Sequence, residues 1–267
     1  VERLPYIAVL AAWAVVSIGH LLPGTLGALQ RWLRPVAGAA VALQAATLLA
    51  TAVWSPTPPG FPEALAAASL GVGLAYVAAA TGSLRALGML LGPLALVLLG
   101  TAQLVPHRSV AALRETGVSP WLPIHLGLMF AGLGGFALSS VVGLVYLWAR
   151  ARLKQKRFDG MARLPSLEAL DRIQFRAMLF GFVFLTLGIG AGGAWATASL
   201  SEAWEIDPKV WFTLVIWAWY GAALQVRLVA GRRGRWTALF SIVGFGGMLF
   251  SLVGLNFLLG SWHAYGT

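Results

Sequence analysis

Along this chain, long apolar runs alternate with short polar segments, and the runs are too long for the strands or half-buried helices of a soluble fold. A bilayer crossing takes about 20 consecutive apolar residues. Windows of that kind fall near 4–22, 36–54, 63–81, 86–105, 121–149, 174–198, 209–229 and 236–260. The pattern predicts an all-α, polytopic integral membrane protein with about eight transmembrane helices. Gly and Ala are frequent inside the runs, which suits close approach of helices in lipid. A tryptophan-rich segment, Trp195 to Trp211, separates the sixth and seventh runs and reads as a short external loop or interfacial helix. The chain reads as one membrane domain, 1–267, with a core over about 63–267 and the first two spans, 4–54, peripheral to it.

Composition sharpens this picture. The chain is 59% hydrophobic and 10% charged, against about 25% charged in a soluble domain. Its net charge of +10 is concentrated between the runs, a pattern of topology signals rather than of a nucleic-acid face. One basic loop, near 150–176, carries Arg150, Arg152, Lys154, Lys156, Arg157, Arg163, Arg172 and Arg176; another carries Arg227, Arg232, Arg233 and Arg235. Arg31 with Arg34, and Arg85, alternate in phase with them. The positive-inside rule puts all four segments in the cytoplasm. The expected location is a bacterial inner membrane, with both termini and the tryptophan-rich segment outside. The first run lacks an A-x-A cleavage pattern and reads as a retained helix. The 150–172 stretch is long enough for an interfacial helix on anionic lipid, with a solvated loop as the alternative.

The candidate chemistry is imidazole and indole. His125 opens the fifth run and His263 follows the eighth, so both are expected at the outer surface beside Trp195, Trp204 and Trp211. Tryptophans at a membrane interface usually act as anchors. Here they cluster with Asp207 and Lys209 ahead of a helix that restarts at Pro208, so they can also stack on a flat ligand. Two imidazoles from different helices suit haem iron. Cysteine is absent, so haem could be held only non-covalently, as haem b. Trp121 and Trp262 flank the two histidines as secondary candidates. His20, near the cytoplasmic end of the first span, is either a functional intramembrane residue or a helix-end histidine reaching the interface. His107 reads as surface-exposed. No Ser/His/Asp arrangement, HExxH, P-loop or dinucleotide glycine pattern occurs, and the glycines of LGIGAGGAW read as helix-packing positions.

These pieces carry a resemblance. WLPIHLGLMF…GLVYLWARARLK, LPSLEALDRIQFRAMLFGFVFLTLGIGAGGAWA, DPKVWFTLVIWAWYGA, GRRGR, GFGGMLFSLVGLNFLL and WHAYG follow one another in the order found in the cytochrome c assembly, or haem-handling, superfamily. The chain resembles that superfamily from about Trp121 onward. The resemblance implies that His125 and His263 ligate haem and that Trp195, Trp204 and Asp207 help cradle it. The family's tryptophan-rich pattern, roughly WGxxWxWDPKE, is incomplete: Leu200, Ile206 and Val210 stand at two Trp positions and the Glu. Its LHxR-type transmembrane histidine is also missing, since Leu224-Gln225-Val226-Arg227 occupies that place. These departures look more like the HemX-type branch. The expectation is therefore a haem-binding protein that presents haem for cytochrome c maturation, working with apocytochrome c and a membrane partner bearing an external domain. The alternatives are a HemX-type regulator acting with a haem-biosynthesis enzyme, and a structural subunit of an assembly complex.

Overall fold

A computed structural model of the chain describes residues 4–22, 30–54, 61–105, 121–156, 164–199 and 207–255. The helices are α1 (Leu4–Leu21), α2 (Gln30–Trp54), α3 (Phe61–Ala79), α4 (Gly88–Leu104), α5 (Trp121–Lys154), α6 (Leu167–Ser199), α7 (Pro208–Leu228) and α8 (Arg235–Leu249). A 3₁₀ turn over Gly82–Leu87 leads into α4, and a π-helical turn over Phe250–Gly254 ends α8. Among the described residues there is no strand. Among the described residues, seven helices are long and apolar enough to cross a membrane. α7 has the length, 21 residues, but carries Trp211, Trp217, Trp219, Tyr220, Gln225 and Arg227. The exterior is as apolar as lipid requires: Leu49, Val97, Leu187, Val215 and Val243 are all exposed.

Side-chain contacts fix the helix order. Thr186 meets Trp217 between α6 and α7, Tyr220 meets Ser241 between α7 and α8, and Ser69 meets Ala95 between α3 and α4. Each pair is antiparallel. The described residues of the basic segments gather at one end of the bundle, where Arg34 meets Val77 and Arg227 meets Asp171. Arg31 over Trp32, Arg152 over Trp148 and Arg232 over Trp236 form cation–π pairs there, at 5.7, 5.1 and 5.4 Å, as suits an interfacial belt.

α5 is the central helix, and glycine is what lets its neighbours reach it. A Cβ on Gly71 of α3 would strike the carbonyl of Phe130, and one on Gly134 would strike the carbonyl of Gly71. On the opposite face, a Cβ on Gly135 would lie 2.9 Å from the amide nitrogen of Gly181 in α6. Packing of backbone on backbone is the membrane substitute for a hydrophobic driving force. At 34 residues, α5 is about 51 Å long, well beyond a hydrocarbon core of about 30 Å. The excess carries Arg150, Arg152 and Lys154 past the basic end. Of the 150–172 stretch, α5 takes the residues up to Lys154 and α6 those from Leu167, and 157–163, where an interfacial helix or solvated loop is expected, lie outside the described residues. Charged residues with good helix propensity extend both helices beyond the apolar windows.

One basic residue is not a loop charge. Arg227 is 8% exposed. It donates from both terminal nitrogens to the two carboxylate oxygens of Asp171, each at 2.7 Å, and to Thr237 Oγ1 at 3.0 Å. Asp171 also accepts from the Gly234 amide at 2.8 Å. Gly234 has φ +69°, and a Cβ there would collide with the Tyr146 hydroxyl. This clamp ties α6, α7 and the start of α8 together at the basic end.

Candidate functional site

At the opposite end, α5, α6 and α7 diverge around a cavity of about 360 Å³, closed behind by α8 and by Ala64 of α3. Its floor is apolar, with Phe130, Leu133, Leu185, Ile216 and Met248. Below the floor, Phe136 stacks on Tyr220 with ring centroids 3.7 Å apart. His125, Lys209 and Thr213 bring polar atoms to the walls, and Trp195 brings an indole. An apolar hollow with a few converging polar groups, of about 300–1,000 Å³, is the usual form of a small-molecule site.

His125 sits one turn into α5, and its Nδ1 is 2.7 Å from the carbonyl of Gly188 in α6. A carbonyl can only accept, so Nδ1 donates, and in the neutral ring Nε2 carries the lone pair. A hydrogen bond of this kind fixes the tautomer and orientation of a metal-binding histidine. The sequence allows it because α6 has glycine where the ring lies: a Cβ on Gly192 would be 2.7 Å from Nδ1. Gly188 makes room in the same way for Met129, one turn below His125. A Cβ on Gly190 or Gly193 would meet nothing within 4 Å, so helix packing accounts for Gly188 and Gly192 but not for these two.

α7 begins with a cap whose parts can be read from the sequence. Asp207 is the N-cap and Pro208 the first helical residue, a favoured pairing. The Asp207 carboxylate accepts from the Lys209 amide at 2.7 Å. At 1% exposure it helps fix where α7 starts and does not line the cavity. Lys209, two residues on, does line it.

The remaining sequence candidates divide clearly. Trp195 is 7% exposed in the last turns of α6 and lines the cavity. Trp211 is 60% exposed and Trp121 is exposed at the first residue of α5; neither lines it. Trp204, Trp262, His107 and His263 lie outside the described residues. His20 belongs to the basic end, where its Nε2 shares a hydrogen bond of 2.9 Å with the Tyr76 hydroxyl, far from His125 along the bundle. Sequence reading named Lys209 only as part of the polar cluster before α7 and did not single out Met129, Met248 or Thr213. The spacing of four between His125 and Met129 was the available signal for one of them, since it puts both on one helix face.

Among the described residues no three His, Cys, Asp or Glu side chains converge. A lone oriented imidazole over an apolar hollow suits a metal that arrives with its own equatorial donors, and the residues present fit a metalloporphyrin. Fold and cavity together define a polytopic helical membrane protein with a histidine-lined cavity at the end away from the described basic residues. The family model described as cytochrome C assembly protein matches residues 59–263. The chain belongs to the cytochrome c assembly protein family. Curated relatives agree. It is 33% identical over 144 residues to the cytochrome c biogenesis protein CcsA of Prochlorococcus marinus strain MIT 9515, covering 54% of this chain and 43% of that one. It is 28% identical over 213 residues to CcsA of Trieres chinensis, 68% of each chain. With CcsA of Parasynechococcus marenigrum it shares 30% identity over 181 residues, 60% of this chain and 59% of the relative. The matched part thus spans between 43% and 68% of these relatives. The HemX-type branch draws no support from them.

Proposed function

We propose that the chain holds haem in the α5–α6–α7 cavity at the outer membrane face and presents it during cytochrome c assembly. The observation that carries this reading is His125, oriented by the Gly188 carbonyl over an apolar hollow in a chain of this family. Haem, when bound, supplies an iron for axial ligation and vinyl groups to which the thiols of an apocytochrome add. The chain's own residues bind and orient. His125 would ligate the iron through Nε2, Trp195 would give an aromatic wall, and Lys209 would meet a propionate carboxylate; all three line the cavity. Asp207 acts at one remove by capping α7 and so positioning Lys209. His263 is the proposed second axial ligand and Trp204 a further stacking surface, both from their sequence positions. The cavity lies at the end away from the described arginines, and the positive-inside rule supports its lying outside a bacterial inner membrane. The partners proposed are apocytochrome c and a membrane protein with an external domain.

The test is spectroscopic. The protein purified in mild detergent, with hemin added, should give a b-type reduced-minus-oxidised spectrum. His125→Ala should lower bound haem and shift the Soret band. A wild type that takes up no hemin, or a His125→Ala variant with unchanged haem content and spectrum, overturns the assignment.

A further inference from the structure

A second cavity, of about 440 Å³, lies at the basic end between α1, the first turns of α2, the end of α3 and the 3₁₀ turn. His20 comes to it from α1, Arg31 and Arg34 from α2, Tyr76 from α3 and Arg85 from the 3₁₀ turn. Among the described residues no acidic side chain lines it. Arg31, Arg34 and Arg85 meet no carboxylate among the described residues. Arginines that serve only as topology signals need be no more than present on one side of the membrane, and splaying into water keeps them apart. Here three arginines from two elements line one hollow.

The walls are built rather than incidental. Arg34 donates from Nε to the Val77 carbonyl at 3.0 Å, which pins the root of its planar fork. His20 is held by the Tyr76 hydroxyl, and Tyr76 meets Trp13 edge-on at 5.8 Å. A Cβ on Gly88 would collide with the His20 ring, so α4 begins with a glycine where the histidine lies against it. Gln30, the first described residue of α2, also lines the hollow. Arginine forks match the oxygens of a phosphate group. Basic pockets between membrane helices are also where anionic headgroups bind.

We propose that this cavity is a binding site for a phosphate group, presented by an anionic phospholipid headgroup or by free phosphate. It stands apart from the haem reading, since it shares no lining residue with the α5–α6–α7 cavity. The test is a titration of delipidated full-length protein, with native mass spectrometry counting bound ligand. The probes are dioctanoyl phosphatidylglycerol, dioctanoylglycerol and inorganic phosphate. One phosphate-bearing ligand should bind per chain, and dioctanoylglycerol should not. Arg85→Gln should weaken binding about tenfold, as removal of one charged hydrogen-bonding partner does. This variant removes no hydrogen bond or ion pair among the described residues, so it should fold. Arg34→Gln should act similarly, with Arg34→Lys restoring part of the loss. Arg232→Gln, at the same end but outside the cavity, should bind as wild type does. Binding of the phospholipid but not of phosphate assigns a headgroup site, and comparable binding of both assigns a free-phosphate site. Failure of both phosphate-bearing probes to bind, or an Arg85→Gln protein that binds them as tightly as wild type, overturns the proposal.

Discussion

Two glycines, two residues apart on α6, should respond oppositely to the same added methyl group. At Gly192 the new carbon would lie 2.7 Å from His125 Nδ1, where ordinary contact needs about 3.5 Å. The ring must then retreat from α6 by about 0.8 Å. The Gly188 carbonyl is on the same helix, so the retreat also stretches the Nδ1–O distance from 2.7 Å toward about 3.5 Å, the outer limit of a hydrogen bond. Losing that bond costs about 1 kcal/mol, while Gly→Ala in a helix returns about as much through propensity. Fold stability should therefore barely change. Hemin affinity should fall about 10–100-fold, the usual result of losing a partner that orients a ligating histidine. Gly190→Ala, with open space around it, should keep full affinity. The assay is a hemin titration followed at the Soret band, with thermal unfolding in detergent measured alongside. Unchanged affinity in Gly192→Ala, or an equal loss in Gly190→Ala, refutes the role given to the His125–Gly188 bond.

Three further outcomes follow from the geometry. Arg227→Leu should lower stability by about 3–5 kcal/mol, because it leaves the Asp171 carboxylate buried with only the Gly234 amide; adding Asp171→Leu should recover part of the loss, and an undisturbed unfolding midpoint in the single variant contradicts this. Lys209→Met should weaken hemin binding by about 1 kcal/mol, roughly fivefold, without moving the Soret maximum; a shifted maximum would mean that Lys209 affects the iron itself. Since the chain has no cysteine, Ser201→Cys and Lys156→Cys can be compared for labelling by an impermeant maleimide in intact cells, with Ser201→Cys expected to react and Lys156→Cys not. The reverse labelling would invert the orientation.

The helices were legible because lipid leaves the backbone little choice, so each crossing appears as an unbroken apolar run. Helix ends were less legible. Nothing in the arginines and lysines after Leu147 marks whether they continue α5 or leave it, and they continue it to Lys154. His125 stood out because imidazole is rare in such a chain. Lys209 was legible only as a member of the DPK turn, whose cap is local, while its place on the cavity wall depends on how α6 and α7 pack. Arg227 was hidden more deeply. It reads as one of a run of loop arginines, and its partner Asp171 lies 56 residues away, a distance at which local pattern carries no signal. Trp211 illustrates the opposite error. It shares the tryptophan-rich segment with Trp195, yet the helical rotation of α7 turns it outward.

The Asp171 clamp also sets an order on biosynthesis. Its carboxylate enters the nascent bundle with α6, but Arg227 is made 56 residues later and the Gly234 amide 63 residues later. At about 5–20 residues per second, that is an interval of roughly 3–11 s before the arginine exists. During this time α6 carries an acid awaiting its counter-charge. Completion of the turn ahead of α8 supplies the remaining donor, the Gly234 amide, almost at once. The start of α8 thus works as a fastener for α6 and α7, and the cavity they shape acquires its fixed walls only once that turn is made.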